Sequence, residues 1–260
     1  MDLSIIIPTF NRYSFLEKAI KNYSISNCKA TIVIVDSSVG REKNNNKSLI
    51  KKYKNLKIEY FNRKGKPHTA IKKIKKKIKT KFLVFTGDDD FLLSENLKYH
   101  FDFLQNNKAY IAVNGRAYLL RHFKETFTLS DYPLATLNQN TAYKRCKYLL
   151  ENYAVPFFSI CRTSFFFNSL DYINKKKYPH ENFNDELVLS TILASNGKIF
   201  SSDKNYLVRH VGHTKRGNFT NFRLRNKMLI SINSMIEDLR LKITKVDGYI
   251  SSENLNYLRK

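Results

Sequence analysis

Cysteine is scarce. Cys28, Cys146 and Cys161 are the only three in 260 residues, odd in number and far apart, which argues against a disulfide framework or a zinc knuckle. A reducing compartment is the expectation. No apolar run approaches the ~20 residues of a membrane-spanning helix. The opening MDLSIIIPTFNR has no basic stretch before its apolar run, which stops at Pro8, so an ordinary secretory signal is not expected. No glycine-rich phosphate loop lies near the N-terminus, and no internal repeat is visible. Acidic residues are also few: 22 Asp and Glu stand against 46 Lys and Arg, a formal net charge of +24. That excess suits a polyanion or an anionic membrane surface. A skew towards Lys, Asn, Ile, Phe and Tyr across a whole genome would produce the same excess.

What is present is a globular composition, 42% hydrophobic and 13% aromatic, in a chain long enough to bury a sizeable core. Its organising stretch is KFLVFTGDDDFL, residues 81–92. Four apolar residues of strand character, Phe82 to Phe85, break at Gly87 and deliver Asp88, Asp89 and Asp90. Three adjacent carboxylates repel one another, and a hard divalent ion shared with a phosphate-bearing ligand is a usual remedy. A solvated acidic turn that caps the next helix is the plainer alternative.

Three more apolar runs, 3–7, 31–35 and 57–61, read as buried strands. A helix over 14–23, with Ser14 as cap and Phe15, Ala19 and Ile20 on one side, separates the first two. Residues 65–79, GKPHTAIKKIKKKIK, predict an amphipathic crossover helix. Pro67 suits its first turn, Ile71, Ile74 and Ile78 form its stripe, and lysines 72, 73, 75, 76, 77 and 79 form its solvated face. A helix over 95–106 is capped by Ser94 and turns Leu97, Phe101 and Leu104 inward. Strands alternating with helices predict an α/β fold with an open, mostly parallel sheet flanked by helices. Ligands of such sheets sit beyond the carboxyl ends of the strands. Thr9, Asn11 and Arg12, then Asp36, then Asp88 to Asp90 end three of them.

IIIPTFNR, IVIVDSS and FLVFTGDDDFL at these separations resemble the nucleotide-sugar-binding half of a family 2-type glycosyltransferase with the GT-A fold. The resemblance covers residues 1–105 well and 106–216 more loosely. It implies one GT-A domain over 1–216, with a donor half over 1–105 and an acceptor half over 106–216, followed by a helical extension over 217–260. Pro8, Thr9, Asn11, Arg12, Asp36 and Asp88 are implied as nucleotide-sugar ligands, with Lys66 and His68 beside the donor. Asp88, Asp89 and Asp90 are implied as ligands of Mn2+ or Mg2+. The family's acidic motif interposes a small residue, so the register of this triplet is open.

Further along, Asn184 is the expected cap of a helix whose stripe is Leu189, Ile192 and Leu193 and whose stop is Gly197. Asp185 and Glu186 then fall in its first turn, where the helix dipole favours carboxylates regardless of function. The resemblance makes them the general-base candidates, Asp185 matching best. It also implies His213, in VGH, as a metal ligand, with His210 beside it. The aromatic run over 154–167 reads as core. Residues 218–260 look helical, with Met228, Ile232, Met235 and Leu239 on one stripe that would pack on the core, self-associate or lie on a membrane.

The implied activity is metal-dependent transfer of a sugar from a nucleoside-diphosphate-sugar to a hydroxyl of a glycan or lipid-linked acceptor, by single displacement with inversion. Peripheral contact of the lysine face with an anionic membrane and a homo-oligomer through the C-terminal helix are further expectations. The expected location is the cytoplasm or the inner face of its membrane. A nucleotidyltransferase of related topology and a basic nucleic-acid-binding protein are the rivals. The first lacks a phosphate loop here, and the second lacks a reading module.

Overall fold

The apolar runs form the parallel half of one nine-stranded sheet in the computed structural model, which describes residues 1–123, 126–132, 134–152, 156–173 and 181–211. Strands β1 (Leu3–Thr9), β2 (Thr31–Asp36), β3 (Ile58–Asn62) and β4 (Phe82–Phe85) lie in the order β3-β2-β1-β4 and pair in parallel. Leu3, Ile5, Ile7, Ile32 and Ile34 pack on one side, and Ile6, Val33 and Val35 on the other. Both faces of β1, β2 and β4 are covered, which is why these three read as continuous rather than alternating hydrophobic runs, while β3 at the sheet edge is half-buried.

The second half of the sheet is mixed. Strands β5 (Phe91–Leu92), β6 (Tyr110–Phe123), β7 (Thr126–Tyr132), β8 (Ile160–Arg162) and β9 (Lys198–Val211) complete the order β3-β2-β1-β4-β8-β6-β9-β5, with β7 on β6. Short β8 pairs antiparallel with both β4 and β6 and joins the two halves, while β6 and β9 run parallel. The parallel arrangement therefore holds through β4, and antiparallel pairings enter from β8 onward.

Helices α1 (Tyr13–Ile25), α2 (Gly40–Lys52) and α4 (Ser94–Asn106) accompany one face of the sheet, where Leu16, Ile20, Tyr23, Leu49, Leu97 and Phe101 are buried together. The other face receives α3 (Pro67–Lys72), α5 (Ala142–Asn152), α6 (Thr163–Ile173) and α7 (Glu181–Asn196), through Ile71, Leu149, Phe166 and Leu189 among others. Phe158, Phe166 and Phe167 are buried, as the core reading of the aromatic run required.

Several local expectations are corrected. The lysine-rich crossover is a six-residue helix, α3, followed by a 3-10 turn at Lys75–Lys77. Ile71, Ile74 and Ile78 are nevertheless all buried, because a short helix and a turn present the same stripe. Lys72 and Lys75 both pair with Asp171 of α6, and Lys73 donates to the Lys64 carbonyl. The solvated face is thus partly engaged. Ser14 does not cap α1, which starts one residue earlier. Its first amide, Tyr13 N, donates instead to the Glu42 carboxylate of α2 at 2.9 Å, a long-range cap that local spacing does not reveal. Nor does Ser94 cap α4: it is the first helical residue, preceded by Leu93, and its buried hydroxyl lacks a partner. The α7 helix opens at Glu181, so Asn184 lies inside it and Asp185 and Glu186 fall beyond its first turn. The C-terminal stripe and the extension over 217–260 lie outside the described residues.

His100 of α4 is buried against β9. Its Nδ1–H donates to the Asn96 carbonyl and its Nε2 accepts from the Ser202 hydroxyl, each at 2.8 Å. Gly115 of β6 makes room for it, since a Cβ there would come within 2.6 Å of Nε2 and 2.3 Å of the Lys204 carbonyl. Burial pushes the imidazole down to about 4, against the Asn96 bond, which favours the cation. The unfolded chain binds the proton near 6.5, so this group's contribution is complete above that pH and is lost as pH falls towards 4. His100→Gln should be less stable at pH 7 by about 1 to 2 kcal/mol. Its deficit relative to wild type should shrink by up to about 2 kcal/mol by pH 5, as urea unfolding at the two pH values would measure. An unchanged deficit would contradict the neutral buried imidazole.

Candidate active site

The site lies at the carboxyl ends of β1, β2 and β4. The turn after β4 leaves no room for a side chain at Gly87, where a Cβ would lie 2.8 Å from Asp89 Oδ1 and 3.1 Å from Asp90 Oδ2. Asp88 and Asp90 are 3% and 4% exposed. Their repulsion is relieved by two guanidinium groups. Arg12, at the end of β1, reaches Asp88 Oδ1 at 2.9 Å and Asp89 Oδ2 at 2.5 Å, and lies over the Phe15 ring. Thr9 donates its hydroxyl to Asp88 Oδ2 at 2.7 Å. Arg209 of β9 stands 3.7 Å from Asp90 Oδ2, and the His210 amide donates to Asp90 Oδ1. Part of the positive charge that the triplet needs is thus supplied within the chain, by arginines.

Burial still outweighs these partners. It pushes Asp88 up to about 6, against the Thr9 hydroxyl bond and the Arg12 charge and reinforced by Asp89. Asp90 is also pushed up to about 6 by burial, against Arg209 and reinforced by Asp89. The oxygen donors are of the hard type that suits Mg2+ or Mn2+. Among the described residues no three His, Cys, Asp or Glu side chains gather into a metal cage. Asp89, with 27% of its side chain exposed and Oδ1 turned towards Gly87, is the accessible member. This set fits an ion that takes one or two carboxylates and completes its shell with phosphate oxygens.

Asp36, at the end of β2, is enclosed by its neighbours. It is 0% exposed, and its carboxylate accepts from the Ser38 amide, the Asn46 side chain and the Tyr60 hydroxyl at 2.7, 3.1 and 2.6 Å. It holds the loop after β2 from within the fold. That loop is tied in turn to the β1 turn: Asn11, with φ 53°, donates its amide to Ser38 Oγ at 2.7 Å and accepts from the Val39 amide. Pro8 is half-buried at the end of β1 beside this junction, and Phe10, 59% exposed, stands at the mouth. Lys66 is exposed and His68 half-buried at the start of α3. His213 lies outside the described residues. His210 contributes its amide, and its ring lies 6.3 Å from that of Phe15.

Arg209 was missed from sequence, although it lies within the YLVRHVGH segment that was read for its histidines. Its guanidinium packs on the rings of Phe158 and Tyr132, at 4.2 and 5.0 Å. One end faces Asp90. At the other, Nη1 donates to the Tyr132 hydroxyl at 3.0 Å and stands 3.8 Å from Glu186 Oε1. Tyr132, a neutral phenol whose pKa is raised by burial and by Glu186, donates to Glu186 at 3.1 Å. The acidic turn and α7, remote in sequence, thus meet on one cation. The side chain of Asp185 lies outside the described residues.

With this geometry in view, the family model of glycosyl transferase family 2 matches residues 4–170. The chain belongs to that family, and its fold is the GT-A fold. It is 27% identical over 192 residues to a GalNAc(5)-diNAcBac-PP-undecaprenol beta-1,3-glucosyltransferase of Campylobacter jejuni, a match that covers 72% of this chain and 58% of that protein. The fold resembles that of S. aureus TarS 1-349 in complex with UDP-GlcNAc, with TM-score 0.61 and 16% identity over all of this chain and 70% of that one. It also resembles the mannosyltransferase PcManGT of Pyrobaculum calidifontis in complex with GDP-Man and Mn2+, with TM-score 0.55 and 13% identity over 99% of this chain and 72% of that one.

If Arg209 is the counter-ion of Asp90, Arg209→Met leaves a buried carboxylate unpaired and should cost about 3 kcal/mol in urea unfolding. Asp90→Asn added to that variant should recover part of the loss. Additive losses in the double-mutant cycle would show that the two groups are not coupled.

Proposed function

We propose that the protein moves a sugar from a nucleoside-diphosphate-sugar to a hydroxyl of a glycan or lipid-linked acceptor, with inversion at the anomeric carbon. The observation that carries this reading is Arg209, which faces Asp90 with one end and Glu186 with the other. Carboxylates of the kind that serve a diphosphate, and a carboxylate of the kind that serves as a base, then border one cleft. Support for the donor class comes from the two resembling folds, held with UDP-GlcNAc and with GDP-Man. Support for a lipid-linked acceptor comes from the Campylobacter jejuni relative.

The nucleoside would lie along the joined loops after β1 and β2, against Pro8, Asn11 and Phe10, with Asp36 shaping the floor from below. Arg12, with a third of its side chain exposed, would face the diphosphate from the Asp88 and Asp89 side. Mn2+ or Mg2+, when bound, supplies charge neutralisation on the leaving diphosphate, and Asp88, Asp89 and Asp90 are the residues that would hold it. His213 remains a candidate for the same role. Across the cleft, Glu186 or Asp185 takes the proton of the acceptor hydroxyl as its oxygen attacks the anomeric carbon. The position of the Glu186 carboxylate on the Arg209 and Tyr132 cluster favours Glu186. Tyr132 and Arg209 would orient that carboxylate, and a single displacement inverts the centre.

The lysine run leads into β4, at the sheet edge away from the Asp88 turn. Lys76, Lys77 and Lys79 are its exposed cations for contact with an anionic membrane. Among the described residues no helix is long and apolar enough to cross a membrane.

A thermal-shift screen of UDP, GDP and their sugars, with and without Mn2+, tests the donor class. A ligand at a hundred times its dissociation constant should stabilise by about 2.7 kcal/mol. The double variant Asp89→Asn with Asp90→Asn should lose the Mn2+-dependent part, and an undiminished metal effect would remove the triplet from the metal site. Glu186→Gln should keep donor binding and lose transfer by about 10² to 10⁴-fold, as radiolabelled sugar transfer would measure. Near wild-type transfer in Glu186→Gln with collapse in Asp185→Asn would move the base to Asp185.

A further inference from the structure

Beyond the cluster around Arg209 the sheet continues outward as three strands, and their register fixes which side chains share its face. Leu119 of β6 pairs with Arg209 of β9 and with Ser130 of β7, and the next same-face row sets Arg121 beside Thr128. No register shift interrupts β6 and β9 between Ala117 and Arg121, so the two-residue alternation carries the face of Arg209 directly to Arg121. Arg121 lies one strand over and about 7 Å further along the strand direction. It is exposed, and its Nη1 donates to the Ser130 hydroxyl at 2.8 Å.

The contrast with the neighbouring arginines is chemical. Arg12 and Arg209 each stand against carboxylates, whereas among the described residues no carboxylate pairs with Arg121. Asp131, adjacent to Ser130, pairs with Tyr118 and so occupies the opposite face. A cation steadied by a neutral hydroxyl, with the Thr128 hydroxyl in the same row, keeps its charge and most of its fork of donors for an external oxyanion.

We infer that Arg121, with Ser130 and Thr128, forms an acceptor subsite for a phosphate ester or diphosphate, about one sugar unit beyond the hydroxyl that Glu186 serves. The inference rests on the glycosyltransferase reading above, because that reading places the reacting hydroxyl at Glu186. It makes the acceptor an anionic glycoconjugate rather than a neutral sugar. Phosphate carried by a lipid and phosphate within a soluble glycan chain present the same oxygens to this row.

The test titrates glycerol 3-phosphate into the full chain, free and saturated with UDP and Mn2+, with bound ester read by ligand-detected NMR. Arg121→Gln should weaken ester binding by about tenfold, and Arg121→Lys, which keeps charge but loses the fork, should restore part of it. A parallel arm measures flotation with phosphatidylcholine vesicles containing phosphatidylglycerol. If Arg121→Gln also loses vesicle binding, the phosphate is lipid-borne; if only the soluble ester is lost, it belongs to a glycan chain. Equal ester binding by wild type and Arg121→Gln, or none by wild type, overturns the subsite. UDP with Mn2+ is scored separately: its failure to bind counts against the donor reading, while the dependence on Arg121 decides the subsite.

Discussion

Three consecutive carboxylates at the end of a buried strand are tolerable only if positive charge comes to them, and the structure of the site follows from how that charge is brought. Arg12 arrives from the turn after the neighbouring strand β1, four residues beyond Pro8, where the apolar run ends. Arg209 arrives from β9, close to the end of the described chain. Removing a charge from water costs several kcal/mol, and a partner offsets this only when it is held in place. Both arginines are held by aromatic faces, Arg12 over Phe15 and Arg209 over Phe158 and Tyr132. The raised pKa of Asp88 and Asp90 indicates that the offset is incomplete. That residue of unfavourable charge burial favours any further cation drawn to the turn.

The second half of the sheet brings Arg209 to the acidic turn, and α7 brings Glu186 to Arg209. β6 is long enough to pair with β8 at its start and with β9 along most of its length, while β7 folds back on its far end. Tyr132, the last residue of β7, is thereby returned to the cleft. The α7 helix packs its Leu189 and Ile192 into the core on one face and presents Glu186 at its opening end. The helix end opposite Glu186 is also anchored: buried Arg145 of α5 donates to the Ala194 and Ser195 carbonyls, a cation at a helix C-terminus.

The same logic separates what was legible in the sequence from what was not. Strands β1, β2 and β4 were visible because a strand covered on both faces is apolar along nearly its whole length, a signal confined to a few adjacent residues. The acidic triplet and the donor-side turn were visible for the same local reason, and so was the carboxylate pair 185–186. Caps were misread where the partner is distant: Tyr13 N is satisfied by Glu42 of another helix, and no spacing rule could supply that. The lysine crossover was read as one long helix because periodicity of three and four is shared by a helix and by a helix that passes into a 3-10 turn.

By itself, the sequence determined an α/β chain, parallel through its first four strands, with a carboxylate triplet at a strand end and a second acidic pair near the start of a helix. Local composition suffices for that, because burial and backbone geometry act on neighbouring residues. Tertiary structure alone decided that Asp36 is enclosed by Ser38, Asn46 and Tyr60, that two arginines stand against the triplet, and that Arg209 spans from Asp90 to Glu186 beside Tyr132. The arginine contacts with the triplet bring charges within 4 Å across separations of roughly 75 to 120 residues, and the Coulomb energy of a pair depends on distance in space, which the chain order does not encode.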